Sequence, residues 1–366
     1  SSDSVMRRFI MLLAILVGVL FVGYGTAYIA SDEVRYLTRA GFEETRILRA
    51  RTPIATVVAD PDTDPAVRDM LTLVVEVRDY AEALGLDAKE TYTTYVDVER
   101  DTLLLVISAA PKDCLCPYTW KYPIVGRVPY KGFFDFEMAH RAAADLHQRG
   151  FDSYLRPSAA FSTLGWFNDP LLSTALTRDS VELAALVFHE ITHNTLFVSS
   201  AVPFNEGLAQ MVGYLSAAEF FEGQGDSLLA ARARARWTDE VALGSYYDRL
   251  TQKLDSLYHR EPPPDSLELE VGRETVGAWA GEFLADSVGP QLLTFRVEDR
   301  QPRQINNARI VSRRIYRTKL YLFEDWYQAH DSSVSLAVAA ITELLDGVPG
   351  DSAYVVLERR LEGDGD

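Results

Sequence analysis

One stretch of the chain carries residues whose types and spacing suggest chemistry: His189-Glu190-Ile191-Thr192-His193. On a helix, positions i and i+4 lie one turn apart on the same face, so two imidazoles at that spacing can reach one metal ion. Glu190 stands about 100° round the helix from His189, because a turn holds 3.6 residues. From there it reaches water beside the metal rather than the metal itself, which is where a general base belongs. Neutral imidazole is a good ligand for zinc, and zinc brings the pKa of water toward neutral. The expectation is therefore one zinc ion per chain and hydrolysis by metal-activated water. The five-residue pattern arises by chance in about one chain of this size in a hundred at average composition, so its surroundings have to decide. Leu183, Ala184, Leu186, Val187 and Ile191 make the helix apolar on most sides. Two histidines and a glutamate on a buried helix are costly without a partner, and one metal ion accounts for all three. The plain alternative is a buried helix with hydrogen-bonded histidines.

A third ligand has to come from another element. Phe204-Asn205-Glu206-Gly207-Leu208-Ala209 follows Pro203 and reads as the first turn of a second helix. Glu206 would complete a set of two histidines and one glutamate with a fourth position open, the arrangement of catalytic zinc. Gly207 would let the second helix approach the first. The plain alternative for Glu206 is a favourable charge at a helix N-terminus. No histidine stands at the H-E-x-x-H-x-x-G-x-x-H spacing, which disfavours a third imidazole. Asp179 with Glu182 reads as a capping box at the start of the histidine helix. His140 and His147 share a helix face but lie two turns apart, too far for joint ligation. They and His259 and His330 read as surface or satisfied histidines.

The elements that must position these residues are legible in outline. Helices are expected over Val34 to Arg51, Pro65 to Leu84 (closing at Gly85), Phe136 to Arg149 (closing at Gly150), Ser180 to Phe197 and Phe204 to Phe221. Helical pattern continues with breaks to about His259, then resumes over Asn306 to Ala329 and Ser332 to Leu345. Thr91 to Val98 and Leu103 to Ser108 read as two strands joined by a turn. Pro111 to Gly132 reads as an ordered loop, and Ser153 to Phe167 could include a strand. Glu261 to Asp265 reads as a linker, and the tail Gly363 to Asp366 as flexible.

Phe9 to Ala30 is a run of 22 residues without a charge, preceded by Arg7 and Arg8 and followed by Asp32 and Glu33. That is long enough for a transmembrane helix with the N-terminus inside. The expected division is a cytoplasmic tail over residues 1–8, an anchor over 9–30 and a catalytic domain over 31–366. The rival is a signal sequence cleaved after Ala27; the length of the apolar run favours a retained anchor. A net charge of −17 argues against nucleic acid as a partner, since phosphates require basic patches. The two cysteines, Cys114 and Cys116, are too few for a structural zinc site and read as thiols or one local bridge.

Four segments in order carry a resemblance: Val128-Pro-Tyr-Lys-Gly-Phe-Phe-Asp135, Phe161-Ser-Thr-Leu-Gly-Trp-Phe-Asn-Asp-Pro170, Phe188-His-Glu-Ile-Thr-His193 and Phe204-Asn-Glu-Gly-Leu-Ala209. Arg51-Thr-Pro-Ile54, Tyr92-Thr-Thr-Tyr95 and Ile305-Asn-Asn-Ala308 add to it. Together they resemble the putative aminopeptidase family of bacterial membrane-associated zinc peptidases, over about residues 30 to 330. The resemblance implies an α+β, mainly helical, zincin-like fold of the glutamate-zincin type. It implies His189, His193 and Glu206 as zinc ligands, Glu190 as base and a peptide as substrate. It also implies residence in the bacterial inner membrane as a single-pass protein with the catalytic domain on the periplasmic side. No cysteine precedes Cys114, so a lipoprotein anchor is not expected. Phe161 to Phe167 is a candidate edge strand for an extended substrate. Tyr214 and Tyr316 are candidate oxyanion donors, and Asp169 and Glu182 candidate groups for a substrate amine. Exopeptidase and endopeptidase action both stay open, as do a non-catalytic zinc-stabilised envelope scaffold and a membrane-tethered interaction protein.

Overall fold

The structure, a computed structural model, describes residues 2–122, 126–158, 170–297, 301 and 303–363. In chain order it runs α1 (Ser2–Ala30), α2 (Asp32–Arg49), β1 (Thr52–Pro53), α3 (Ile54–Ala59), α4 (Pro65–Ala83), β2 (Thr94–Val96) and β3 (Leu104–Pro111). Then follow β4 (Trp120–Tyr122), β5 (Gly126–Val128), β6 (Lys131–Phe133), α5 (Phe136–Gln148), β7 (Phe151–Ser158) and β8 (Leu171–Leu172). The remainder is helical: α6 (Ser180–Thr195), α7 (Val202–Gly223), α8 (Ser227–Tyr258), α9 (Ser266–Phe283), α10 (Asn307–Arg314), α11 (Leu320–Ala329), α12 (Val334–Leu344) and α13 (Ala353–Glu362). The fold is mainly helical with small sheets, as the sequence led us to expect.

Local chemistry sets many of these boundaries. Among the described residues, eight helices open on a Ser, Asp or Asn side chain that accepts a hydrogen bond from the first turn: Ser31, Asp64, Asp135, Asp179, Asp226, Asp265, Asn306 and Ser333. Gly85 and Gly150 take left-handed φ of 85° and 84° just past α4 and α5, so both helices stop where the sequence places them.

The main core is built around α6. Leu183, Ala184, Val187, Phe188 and Ile191 are buried among α4, α7 and the C-terminal helices. Beside this core, β3 is the middle strand of an antiparallel sheet in the order β6-β3-β7. Strand β2 belongs to a different sheet, antiparallel to β1 and parallel to β8. The expected hairpin of β2 and β3 is therefore not formed. Each strand pairs with segments distant in sequence, and Glu99, with φ 53°, turns the chain away between them. Three other expectations need correction. Pro111 to Gly132 holds β4, β5 and the start of β6 rather than loop alone. The helix α8 runs unbroken for 32 residues. The segment read as one helix over Asn306 to Ala329 is split into α10 and α11, with Lys319 at φ 49° between them. Helix α9 has no counterpart in the sequence reading. Cys114 and Cys116 are joined as a disulfide.

Within α1, Met6–Ala30 is 25 residues long with mean hydropathy 2.4, and its side chains are almost all exposed. At 1.5 Å per residue it spans about 37 Å, enough to cross a hydrocarbon core. A signal sequence near an N-terminus would meet the same condition.

Candidate metal centre

The two histidines lie on the inner face of α6 and the glutamate on α7, and the two helices make the most extensive helix pairing in the molecule. His189 Nε2 is 3.1 Å from Glu206 Oε2 and 3.3 Å from His193 Nε2. Glu206 Oε1 is 3.7 Å from His193 Nε2. Donor atoms around a tetrahedral ion with bonds of 2.0–2.1 Å stand about 3.4 Å apart, so these separations match one shared ion. The chemistry of the set points the same way. Two ring nitrogens face each other and a carboxylate inside the protein, and a single proton cannot serve all three, whereas a cation can. His189, His193 and Glu206 thus form a cluster that could hold a metal ion.

Electrostatics sort the three groups into distinct states. Burial works against a charge on His189, but the hydrogen bond it donates to Glu206 and the charges of Glu190 and Glu206 outweigh it, so its pKa is raised. Burial and the neighbouring His189 push His193 down to about 4, against the pull of Glu206. Burial alone would raise Glu206, but His189 and His193 hold its pKa below the usual value. His193 Nδ1 is buried and has no hydrogen-bond partner among the described residues.

The junction of the two helices is fixed by a residue the sequence reading passed over. Asn205 is buried, accepts from Val198 N–H at 2.9 Å and donates to Val198 O at 2.8 Å, so it ties the connecting loop to α7 one residue before Glu206. The expected role of Gly207 is corrected. A Cβ there would meet Phe323 at 2.6 Å, so Gly207 makes room for α11. The close approach to α6 falls at Gly213, seven residues past Glu206. A Cβ at Gly213 would lie 2.8 Å from Ala185 O and 3.5 Å from His189 Cβ. A seven-residue step keeps the same helix face, so this signal was present in the sequence.

Other candidate residues separate. Asp179 caps α6, but the Glu182 carboxylate does not close a box. It accepts from Arg236 Nε at 2.6 Å and from Tyr214 Oη at 3.1 Å. Tyr214 is thereby committed to Glu182, and neither is near the ligands: seven residues of helix separate Glu182 from His189 by about 10 Å. Tyr316 is placed differently. Its ring centroid is 6.5 Å from that of His189. Burial and the charges of Glu206 and Glu190 raise its pKa, with Arg156 opposing. Tyr130 is raised by burial and by Glu206, also against Arg156. Neither Tyr130 nor Arg156 was singled out from the sequence, although Tyr130 stands in the Val128–Asp135 segment. Asp169 and the strand expected over Phe161 to Phe167 lie outside the described residues. His140, His147 and His259 are exposed, and His330 packs on Trp326, so none joins the centre. A groove of about 590 Å³ lined by Asp179, Glu182 and Arg236 opens at the N-terminal end of α6, away from the ligands. Its charged groups are already paired with one another, Asp179 with Arg232 and Glu182 with Arg236.

A mainly helical protein with two histidines and a glutamate on neighbouring core helices, placed so that they could hold a metal ion, is the class that fold and site define. A family model described as "Putative aminopeptidase" matches residues 35–351, and the chain belongs to that family. Among curated proteins and solved structures, none matches.

Proposed function

We propose that the chain hydrolyses peptide bonds as a zinc-dependent aminopeptidase of zincin-like fold, with His189, His193 and Glu206 holding one zinc ion and Glu190 as general base. The observation that carries this reading is the convergence of the three donors at 3.1–3.7 Å on two buried helices. Family membership supports the peptide as substrate. Two imidazoles and one carboxylate suit zinc better than a hard cation, which prefers an all-oxygen set. A zinc ion there would supply Lewis acidity, polarising a carbonyl and making water nucleophilic near neutral pH. Glu190, next to His189 on α6, takes the proton from the attacking water and passes it to the nitrogen of the leaving amine. The Tyr316 ring lies 6.5 Å from that of His189, and we assign its hydroxyl as the donor to the oxyanion that develops at the carbonyl. We place the protein in the bacterial inner membrane, anchored by α1 with the catalytic domain in the periplasm.

The test is a peptide-library digest comparing the zinc-loaded protein with Glu190→Gln. Loss of a general base costs typically 10²–10⁴ in rate, and the variant should keep its zinc. Cleavage that persists unchanged in the variant rules out the mechanism. Cuts confined to the first peptide bond mark an aminopeptidase, and internal cuts an endopeptidase. Stoichiometric zinc with no Glu190-dependent cleavage marks a scaffold.

A further inference from the structure

Strand β7 presents alternate residues to the face of its sheet that meets α10. Asp152 accepts from Asn307 N–H at 2.7 Å and from Arg273 at 2.6 Å. Two residues on, Tyr154 lies under Arg309 and accepts from Arg313. Two further on is Arg156, opposite Val106 in the register. Strand and helix thus advance together, from Asp152 with Asn307 to Tyr154 with Arg313, and in that direction the strand reaches Arg156 as the helix gives way to the turn that carries Tyr316. Tyr316 in turn lies against His189. Tyr130 comes from the other edge of the sheet, next to β6, and its hydroxyl also senses Arg156 and Glu206. Tyr154, two residues before Arg156, bonds Arg313, three residues before Tyr316, so the course of strand and helix carries Arg156 toward the metal centre, and its charge acts on the same two phenols as that of Glu206.

Its chemistry differs from that of every other group there. Asp152 is satisfied by α9 and α10, and Glu190 and Glu206 are committed to the centre. Among the described residues no ion pair joins Arg156 to a carboxylate. A planar guanidinium matches a carboxylate through two parallel hydrogen bonds, and a peptide carries such a group at its C-terminus. We propose that Arg156 is a substrate-binding residue that holds the free C-terminal carboxylate of a short peptide lying across the metal centre. This rests on the reading of the centre as a peptidase site and narrows its substrates to short peptides with an unblocked C-terminus.

The experiment measures binding rather than turnover, on the zinc-loaded full chain carrying Glu190→Gln. Trialanine and its C-terminal amide are titrated by calorimetry. A hydrogen-bonded charge of this kind contributes enough that the amide should bind at least about tenfold more weakly. Adding Arg156→Gln should bring acid and amide to the same affinity, while Arg156→Lys should keep a difference. The lysine variant also decides the matter if the glutamine variant fails to fold. Equal binding of acid and amide by the Arg156 protein overturns the proposal, as does a difference that survives in Arg156→Gln or failure of both ligands to bind. Loss of the hydrolysis reading shows separately, as an absence of Glu190-dependent cleavage, and leaves the acid–amide comparison to decide Arg156.

Discussion

At the level of single residues, a proton and a metal ion compete for the same three ligands. Well above about pH 4 His193 is already neutral, and His189 and His193 hold the Glu206 pKa below the usual carboxylate value, so at neutral pH neither needs to lose a proton. His189 does, because its pKa is raised above 6.5. Metal binding should therefore displace one proton below that raised value. Zinc affinity should be level at alkaline pH and fall about tenfold per pH unit as pH drops from the His189 pKa toward 4. Calorimetric titration with zinc across pH 4.5–8 reads this directly. A flat profile through pH 5 and 6 contradicts the assignment of His189 as the proton-bearing ligand. His189, His193 and Glu190 were legible from sequence because their relation lies within one helical turn. Glu206 needed the further fact that a second helix crosses the first. Arg156 and Tyr130 were not legible, since they reach the centre through strand pairing over many residues, and no local period encodes that.

At the level of elements, the centre depends on how closely α7 can approach α6. Gly213 sets that distance, because a Cβ there would press on a backbone oxygen, Ala185 O, which cannot rotate away. Gly213→Ala gains helix propensity of roughly 1 kcal/mol but must push the helices apart, and overpacking of this kind costs about 1–3 kcal/mol. The displacement acts on the turn carrying His189, so metal affinity should fall as well as thermal stability. Gly223→Ala, at the open end of the same helix, meets nothing within 4 Å and serves as the control. Thermal melts and zinc titrations on both variants check this, and retention of both properties in Gly213→Ala would show that the helix contact has slack. Helices with a clear cap and a terminal glycine, such as α4 and α5, could be bounded from sequence to within a residue or two. The break between α10 and α11 could not. Ile315 to Lys319 holds no glycine or proline to mark a stop, and the turn is met by a tertiary contact, where Gly244 of α8 makes room for Arg317 O and Leu320. That tertiary contact also brings Tyr316 to His189.

At the level of the whole molecule, the apolar N-terminal helix has to be divided from the folded domain. α1 buries almost none of its apolar side chains, and Met6–Ala30 is long and apolar enough to cross a membrane, a condition that a signal sequence also meets. α2 behaves differently, although it follows α1 after one residue. Its Glu43 is buried and takes Arg39, Arg46 and Arg100 as partners, and Ile47 enters the small core that holds Leu104 and Val106. Glu33 pairs with the buried Lys131 at 2.7 Å, and Lys131 lies 3.9 Å over the Tyr36 ring. The family match also begins at residue 35, inside α2. We propose on these contacts that α2 is part of the domain and that the boundary falls at Ser31. A chain starting at Ser31 should be soluble without detergent, keep its thermal transition and bind zinc as the full chain does. A chain starting at Arg51 leaves Lys131 buried without its carboxylate and uncovers Val106 and Leu104. Loss of α2 removes Ile47 from that small core and takes both Glu33 and the Tyr36 ring from Lys131, so the shorter chain should melt below the longer one or aggregate. Detergent-free gel filtration followed by thermal melts separates the two. Equal stability of the two truncations would place α2 with the anchor instead. Carbonate extraction of the full chain from membranes then tests α1 itself: a retained anchor stays in the pellet, whereas a cleaved signal releases a shorter soluble form.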